Sequence, residues 1–265
     1  MASISNLINL SLKPTLKRFS VIPTIPFNPL SLFLSGEQGV WYDPSYINTL
    51  FQDAAGTTPV TATGQPVGRV LDKSGRSNHA TQPTAASRLL FNIDTVQAKL
   101  TGDGIDDNIA SSAAVPWLTG EGVSAFFAVA YKRDSGVGYV VHCDGGVFAL
   151  AGQAFSLLAN AEGSDIVVVG GVSIPIPTST AITVISIAFN KTTGAGLLSV
   201  NGAAETNVSV GTFSQTIKQM RIFSREGGAY FNGSVYGVVS VAGIPPLSTR
   251  QAVVGYLQSR AGVVI

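Results

Sequence analysis

WYDPSYINTLFQDAAGTTPVTATGQPVGRVLDKSGRSNHA, residues 41–80, is a run of turn chemistry broken by short apolar pieces. Asp43 before Pro44 is an N-cap with proline at the first helical position, and it predicts a short helix over 44–51. Tyr46, Ile47, Leu50 and Phe51 would form its apolar face, and residues 53–56 (DAAG) would end it. A hydroxyl-rich loop over 57–66 leads into a short strand over 67–71. Residues 72–75 (DKSG) and 76–79 (RSNH) then read as consecutive turns.

The rest of the chain extends this pattern. Residues 123–131 (VSAFFAVAY) are apolar on both faces, as in a strand covered from two sides. Short strands are expected over 138–143 and 147–150 around a 144–146 turn, over 154–158, and over 165–169 and 172–176 around Gly170-Gly171. Over 182–190 apolar and small residues alternate, which predicts a central strand. Asn201-Gly202 marks a hairpin between 196–200 and 203–210, and the last strands fall over 217–223 and 234–241. Only the end is firmly helical, near 249–261, with Ser248 and Gln251 as a capping box and Gly262 as the C-cap. About twelve short strands with one or two helices make an all-β sandwich.

Composition narrows the function. The 265 residues include 45% hydrophobic but only 12% charged, with 16 basic and 15 acidic side chains for a net charge of +1. This balance argues against a nucleic-acid or anionic-membrane partner. The single cysteine, Cys143, has no intrachain disulfide partner and reads as a buried apolar group. No apolar run approaches the roughly 20 residues of a membrane helix. Lys13, Pro14, Lys17 and Arg18 interrupt the N-terminal apolar stretches, so no signal peptide is expected. Residues 1–34 carry three basic and no acidic residues, four prolines, and recurrent apolar side chains, among them Leu7, Leu10, Phe19, Ile22, Phe27, Leu30 and Phe33. Such a segment is too apolar for a solvated tail. It is either an assembly arm that packs on neighbouring subunits or an arm folded back over its own domain, which then spans 35–265.

The pattern in 41–80 resembles the concanavalin A-like, laminin-G-type jelly-roll domains of tailed-phage and prophage virion structural proteins. Residues 72–79 (DKSGRSNH) are similar to the D-x-S-G-x-G-N-H motif of that superfamily, with Ser77 where the second glycine is usual. Residues 100–107 (LTGDGIDD) resemble the segment that follows, and 232–237 (NGSVYG) with the terminal helix resemble the closing strand and helix. The resemblance covers 37–265 and implies an antiparallel jelly-roll β-sandwich. It also implies a non-enzymatic component of a head or a tail and baseplate, assembled without export in a bacterial host. Capsid or tail subunits would be its partners, and its own assembly homo-oligomeric, with a trimer as one arrangement. Some superfamily members bind calcium or sugar at the sandwich rim, so the alternative is a carbohydrate-binding adhesion module recognising host surface glycans.

Candidate chemistry is sparse. His79 and His142 are the only histidines. No G-x-S-x-G elbow or phosphate loop is present, the five glutamates are isolated, and no catalytic residue is assigned. No cofactor is expected apart from a candidate calcium site at Asp103, Asp106 and Asp107, whose other role would be to cap a turn. Sugar faces stack on aromatic rings. Trp117, Tyr230 and Phe231 are therefore the glycan-binding candidates, with Tyr131 and Tyr139 as further loop-proximal aromatics. Tyr230 closes the Gly-rich 225–230 loop.

Overall fold

A computed structural model describes residues 26–263 apart from 112–114, 116–117, 119–123, 145–152, 161–162, 214–216 and 218. The Trp117 candidate, the four N-terminal arm residues Leu7, Leu10, Phe19 and Ile22, and the expected 147–150 strand lie outside the described residues.

In chain order the strands are β1 (Gly39–Tyr42), β2 (Leu50–Phe51), β3 (Pro66–Val67), β4 (Arg69–Val70), β5 (Ala80–Thr81), β6 (Leu89–Asp94), β7 (Gln97–Asp103), β8 (Ile109–Ser111) and β9 (Ser124–Ser135). They continue with β10 (Gly138–Asp144), β11 (Gln153–Ala159), β12 (Ser164–Val169), β13 (Val172–Pro177), β14 (Thr183–Asn190), β15 (Ala195–Val200), β16 (Thr206–Ser209), β17 (Gln219–Ile222) and β18 (Asn232–Ala242). Among the described residues one α-helix forms, α1 (Leu247–Ala261), after the last strand. Two nine-stranded antiparallel sheets form among the described residues. The first runs β16-β15-β14-β9-β18-β7-β6-β3, with β1 also on β18; the second runs β13-β12-β11-β10-β17-β8-β5-β4-β2. The expected all-β sandwich is what forms.

Two apolar layers explain why β9 reads as apolar on both faces. Ala125, Phe127, Val129 and Tyr131 point into the core between the sheets, where Phe127 stacks on Phe155 at 4.1 Å. Phe126, Ala128 and Ala130 point outward into a second layer with Val253, Val254 and Leu257 of α1. The small side chains let the helix lie close to the sheet. Gly237 of β18 serves the same end, because a Cβ there would meet Leu257 Cδ2 at 2.9 Å.

Helix α1 buries Arg250, Val253, Val254, Leu257, Gln258 and Ala261, one face at helical spacing. It ends in a Schellman motif, with Gly262 at φ 71, Gly262 N–H on Ser259 O at 3.3 Å and Val263 N–H on Gln258 O at 2.9 Å. Its N-cap is Pro246, without a side-chain cap, so Ser248 and Gln251 are not the capping box the spacing suggested. Gly170 (φ 57) and Gly171 (φ 81) form the expected two-residue hairpin turn. Asn201 (φ 53) and Gly202 (φ 76) also turn as expected, but pairing resumes only at Leu198↔Thr206.

The helix expected over 44–51 is a single 3-10 turn at Ile47–Thr49. Tyr46 leaves helical backbone (φ −95, ψ 76), and Leu50 joins Val70 across the second sheet. Strand pairing therefore overrides the local helix signal. Part of the proposed arm also belongs to the domain. Leu32 and Phe33 are buried in the layer shared with α1, Phe27 packs against it, and Leu30 is half exposed. In the described stretch the chain folds back over its own sandwich, so the sandwich starts before residue 35.

Candidate functional site

The 72–79 turn is architectural. The buried Asp72 carboxylate accepts four hydrogen bonds, from Trp41 N–H (2.9 Å), Ser74 N–H (2.9 Å), Ser74 Oγ (2.6 Å) and Asn78 N–H (3.1 Å). Asn78 Nδ2 donates to Gly39 O at 2.8 Å, and His79 Nδ1 accepts Asp72 N–H at 3.0 Å. The motif thereby ties β1 to the loop. His79, with its pKa lowered by burial and by the Arg69 charge, acts as a neutral acceptor.

The chemistry gathers elsewhere, where three connections meet at one end of the sandwich. Asn232, which opens β18, pairs with Asp103 at the end of β7 and with Ser135 at the end of β9. The 103–108 turn, the 135–138 turn and the 223–231 connection are thereby brought side by side. Their fit is close. A Cβ on Gly138 would lie 2.3 Å from Tyr230 O, and one on Gly104 would lie 2.8 Å from Asn232 Cβ. Tyr139 N–H donates to Ala229 O at 3.1 Å, anchoring the third loop to β10. That loop passes through left-handed backbone at Phe223 (φ 71) and Ala229 (φ 54), which costs a non-glycine residue about 1–2 kcal/mol each.

Two sequence-predicted features meet at this rim. Tyr230 is half-buried, and its hydroxyl makes no hydrogen bond among the described residues. The Asp103, Asp106 and Asp107 carboxylates lie within 4.8 Å of one another. Each also accepts a hydrogen bond: Asp103 Oδ1 from Ile105 N–H (2.8 Å) and Asp107 Oδ2 from Asp103 N–H (3.2 Å) hold the turn itself, while Asp106 Oδ2 accepts Ser87 Oγ (2.9 Å) from the preceding connection. Burial, reinforced by the charges of Asp103 and Asp106 and opposed by the Asp103 N–H bond, raises the Asp107 pKa to about 6. An all-oxygen, anionic set is the donor type a hard cation such as calcium takes.

Other candidates fall away. Phe231 is fully buried in the inter-sheet core and cannot stack on a sugar. Tyr131 is equally buried, its hydroxyl donating to Asp165 Oδ2 at 2.7 Å. Sequence reasoning missed the outer face of the second sheet. Strand pairing aligns Thr81, Ala110, Arg221, His142, Ser156, Val168 and Ser173 in one cross-strand row. A bulge between Tyr139 and Val141 places the Tyr139 ring 5.0 Å from His142. Arg225 of the third rim loop lies 5.6 Å over Tyr139, so this polar row runs into the rim. His142 Nδ1 is 2.7 Å from Ser156 Oγ, and both residues are buried. The polar alternation within β10 and β17 was a usable signal, obscured by the bulge.

No family model matches the chain, and no curated protein matches it in sequence. Solved structures share its fold. An arabinofuranosidase complexed with arabinofuranosyl-α-1,2-xylobiose is similar over 89% of this chain and 65% of its own (TM-score 0.61, 12% identity). A Trypanosoma rangeli sialidase is similar over 86% of this chain and 33% of its own (TM-score 0.54, 11% identity). Domain 4 of an extracellular GH43 arabinanase from Geobacillus stearothermophilus, in complex with arabinotriose, is similar over 81% of this chain and 97% of its own (TM-score 0.51, 10% identity). The likeness is one of fold. The chain spans about a third of the sialidase and less than two thirds of the arabinofuranosidase.

Proposed function

We propose that this chain is a non-catalytic carbohydrate-recognition domain that binds glycans at the rim formed by the 103–108, 135–138 and 223–231 connections. The observation that carries this reading is the double pairing of Asn232, which brings the connection that carries Tyr230 to the same rim as the Asp103–Asp107 turn. Sugar recognition needs an aromatic face and hydrogen-bonding groups that converge on one ring, and the rim supplies both. The arabinanase domain, solved with a bound arabino-oligosaccharide and matched over almost its whole length, supports the same reading.

The non-catalytic part rests on the site chemistry. Each carboxylate of the acidic cluster accepts a structural hydrogen bond, and His79 is part of the 72–79 lattice. The virion-attachment reading rested on the resemblance of 41–80, 100–107 and 232–237 and on residues 1–34, of which Phe27, Leu32 and Phe33 pack on the domain itself. No observation in the described residues favours it over glycan recognition.

The test is a glycan array probed with the full chain, followed by titration of the best ligand against Tyr230→Ala. Loss of one aromatic stacking contact of about 1.4 kcal/mol corresponds to about tenfold weaker binding. Flat signal across the array, or unchanged affinity in the variant, removes the rim from consideration.

A further inference from the structure

A second site lies away from the rim. Between α1 and the β14–β15 pair is a cavity of about 210 Å³, room for roughly seven waters. Its wall includes Ser186, Ser199, Gly202, Glu205, Arg250 and Gln258. None of these residues belongs to the three rim connections.

The charges in this wall are already matched. Arg250 Nε donates to Glu205 Oε1 at 2.7 Å, and Arg250 Nη2 donates to Glu205 Oε2, a bidentate pair shielded from solvent on both sides. An anionic ligand would face Glu205 and a cationic one Arg250, so the cavity suits a neutral guest. Of the remaining polar side chains in this wall, Ser199 Oγ donates to Ala203 O at 2.6 Å, which leaves Ser186 and Gln258. Ser186 is 2% exposed and Gln258 3% exposed, yet neither side chain has a hydrogen-bond partner among the described residues. Both offer donor and acceptor capacity to whatever fills the space. Val254 contributes an apolar patch beside them.

We infer that this cavity is a binding site for a single neutral sugar ring, held by Ser186, Gln258 and the Arg250–Glu205 pair with its apolar face on Val254. It is independent of the rim site and does not require it.

The experiment is backbone and side-chain amide NMR of the full chain titrated with L-arabinose, D-galactose and D-glucose, with glycerol as the small-polyol control. At least one sugar should saturate shifts at Gly202, Ala203 and the Gln258 carboxamide. Gln258→Leu and Ser186→Ala should each weaken that response at least tenfold with the fold retained, while Tyr230→Ala leaves it intact. No saturable shift at these positions with any sugar overturns the inference, leaving the cavity to water. So does a response that glycerol matches at equal concentration, one that survives both cavity variants, or one that Tyr230→Ala abolishes.

Discussion

Asp72→Ala separates an architectural from a chemical role for the 72–79 motif. The carboxylate is 8% exposed and accepts four hydrogen bonds. Truncation strands the N–H groups of Trp41 and Asn78, residues that are 3% and 7% exposed, together with those of Ser74. A buried donor left without an acceptor costs about 1–3 kcal/mol. Two fully stranded donors, with partial rescue by water entering the vacated space, give about 4 kcal/mol. That is a large share of the roughly 5–15 kcal/mol that holds a domain together, and it corresponds to a Tm lower by about 8–16 °C. Urea unfolding followed by tryptophan fluorescence reads the difference directly. Asp72→Asn, which keeps one acceptor oxygen, should cost about half as much. Glycan affinity per folded molecule should be unchanged in both variants. A loss below about 1 kcal/mol for Asp72→Ala would refute the view that this carboxylate pins β1 to the loop.

Three further outcomes are expected. Ser77 sits at φ 59, exposed and without a side-chain hydrogen bond, so Ser77→Gly should stabilise the protein by about 1 kcal/mol in thermal unfolding. Because the Asp107 pKa is raised from 3.8 to about 6, ionising it costs the native state, and stability should fall as pH rises through that window. Asp107→Asn should flatten this fall and, allowing for solvent screening, raise neutral-pH stability by about 1 kcal/mol in a series of Tm measurements. Gly138→Ala would drive a Cβ to within 2.3 Å of Tyr230 O and displace the third rim loop, so glycan titration should show a loss comparable to that of Tyr230→Ala.

Much of the sandwich was legible because local chemistry and tertiary structure agree. Residues 123–131 are apolar on both faces because β9 lies between two apolar layers, and Gly170-Gly171 turns because both positions need positive φ. Ser77 shows the same agreement from its exception: it occupies a left-handed position where the resembled motif has glycine. The 44–51 helix failed because Leu50 finds a strand partner in Val70, a contact 20 residues away that no local signal encodes. The candidate site was legible only in part. Tyr230 and the aspartates stood out by type, but their meeting depends on Asn232 pairing with two distant strands. Phe231 differs from Tyr230 by one position, yet its ring is fully buried in the core while Tyr230 stays half-buried at the rim. The cavity under α1 left no trace in sequence, since it is defined by what neither helix nor hairpin fills.

The most direct measurement of the central claim is calorimetric titration of the full chain and of Tyr230→Ala with the best glycan-array ligand. The account predicts saturable binding by the parent and at least tenfold weaker binding by the variant, with equal thermal stability. Equal affinity of the two proteins, or no ligand bound by the parent, would contradict it.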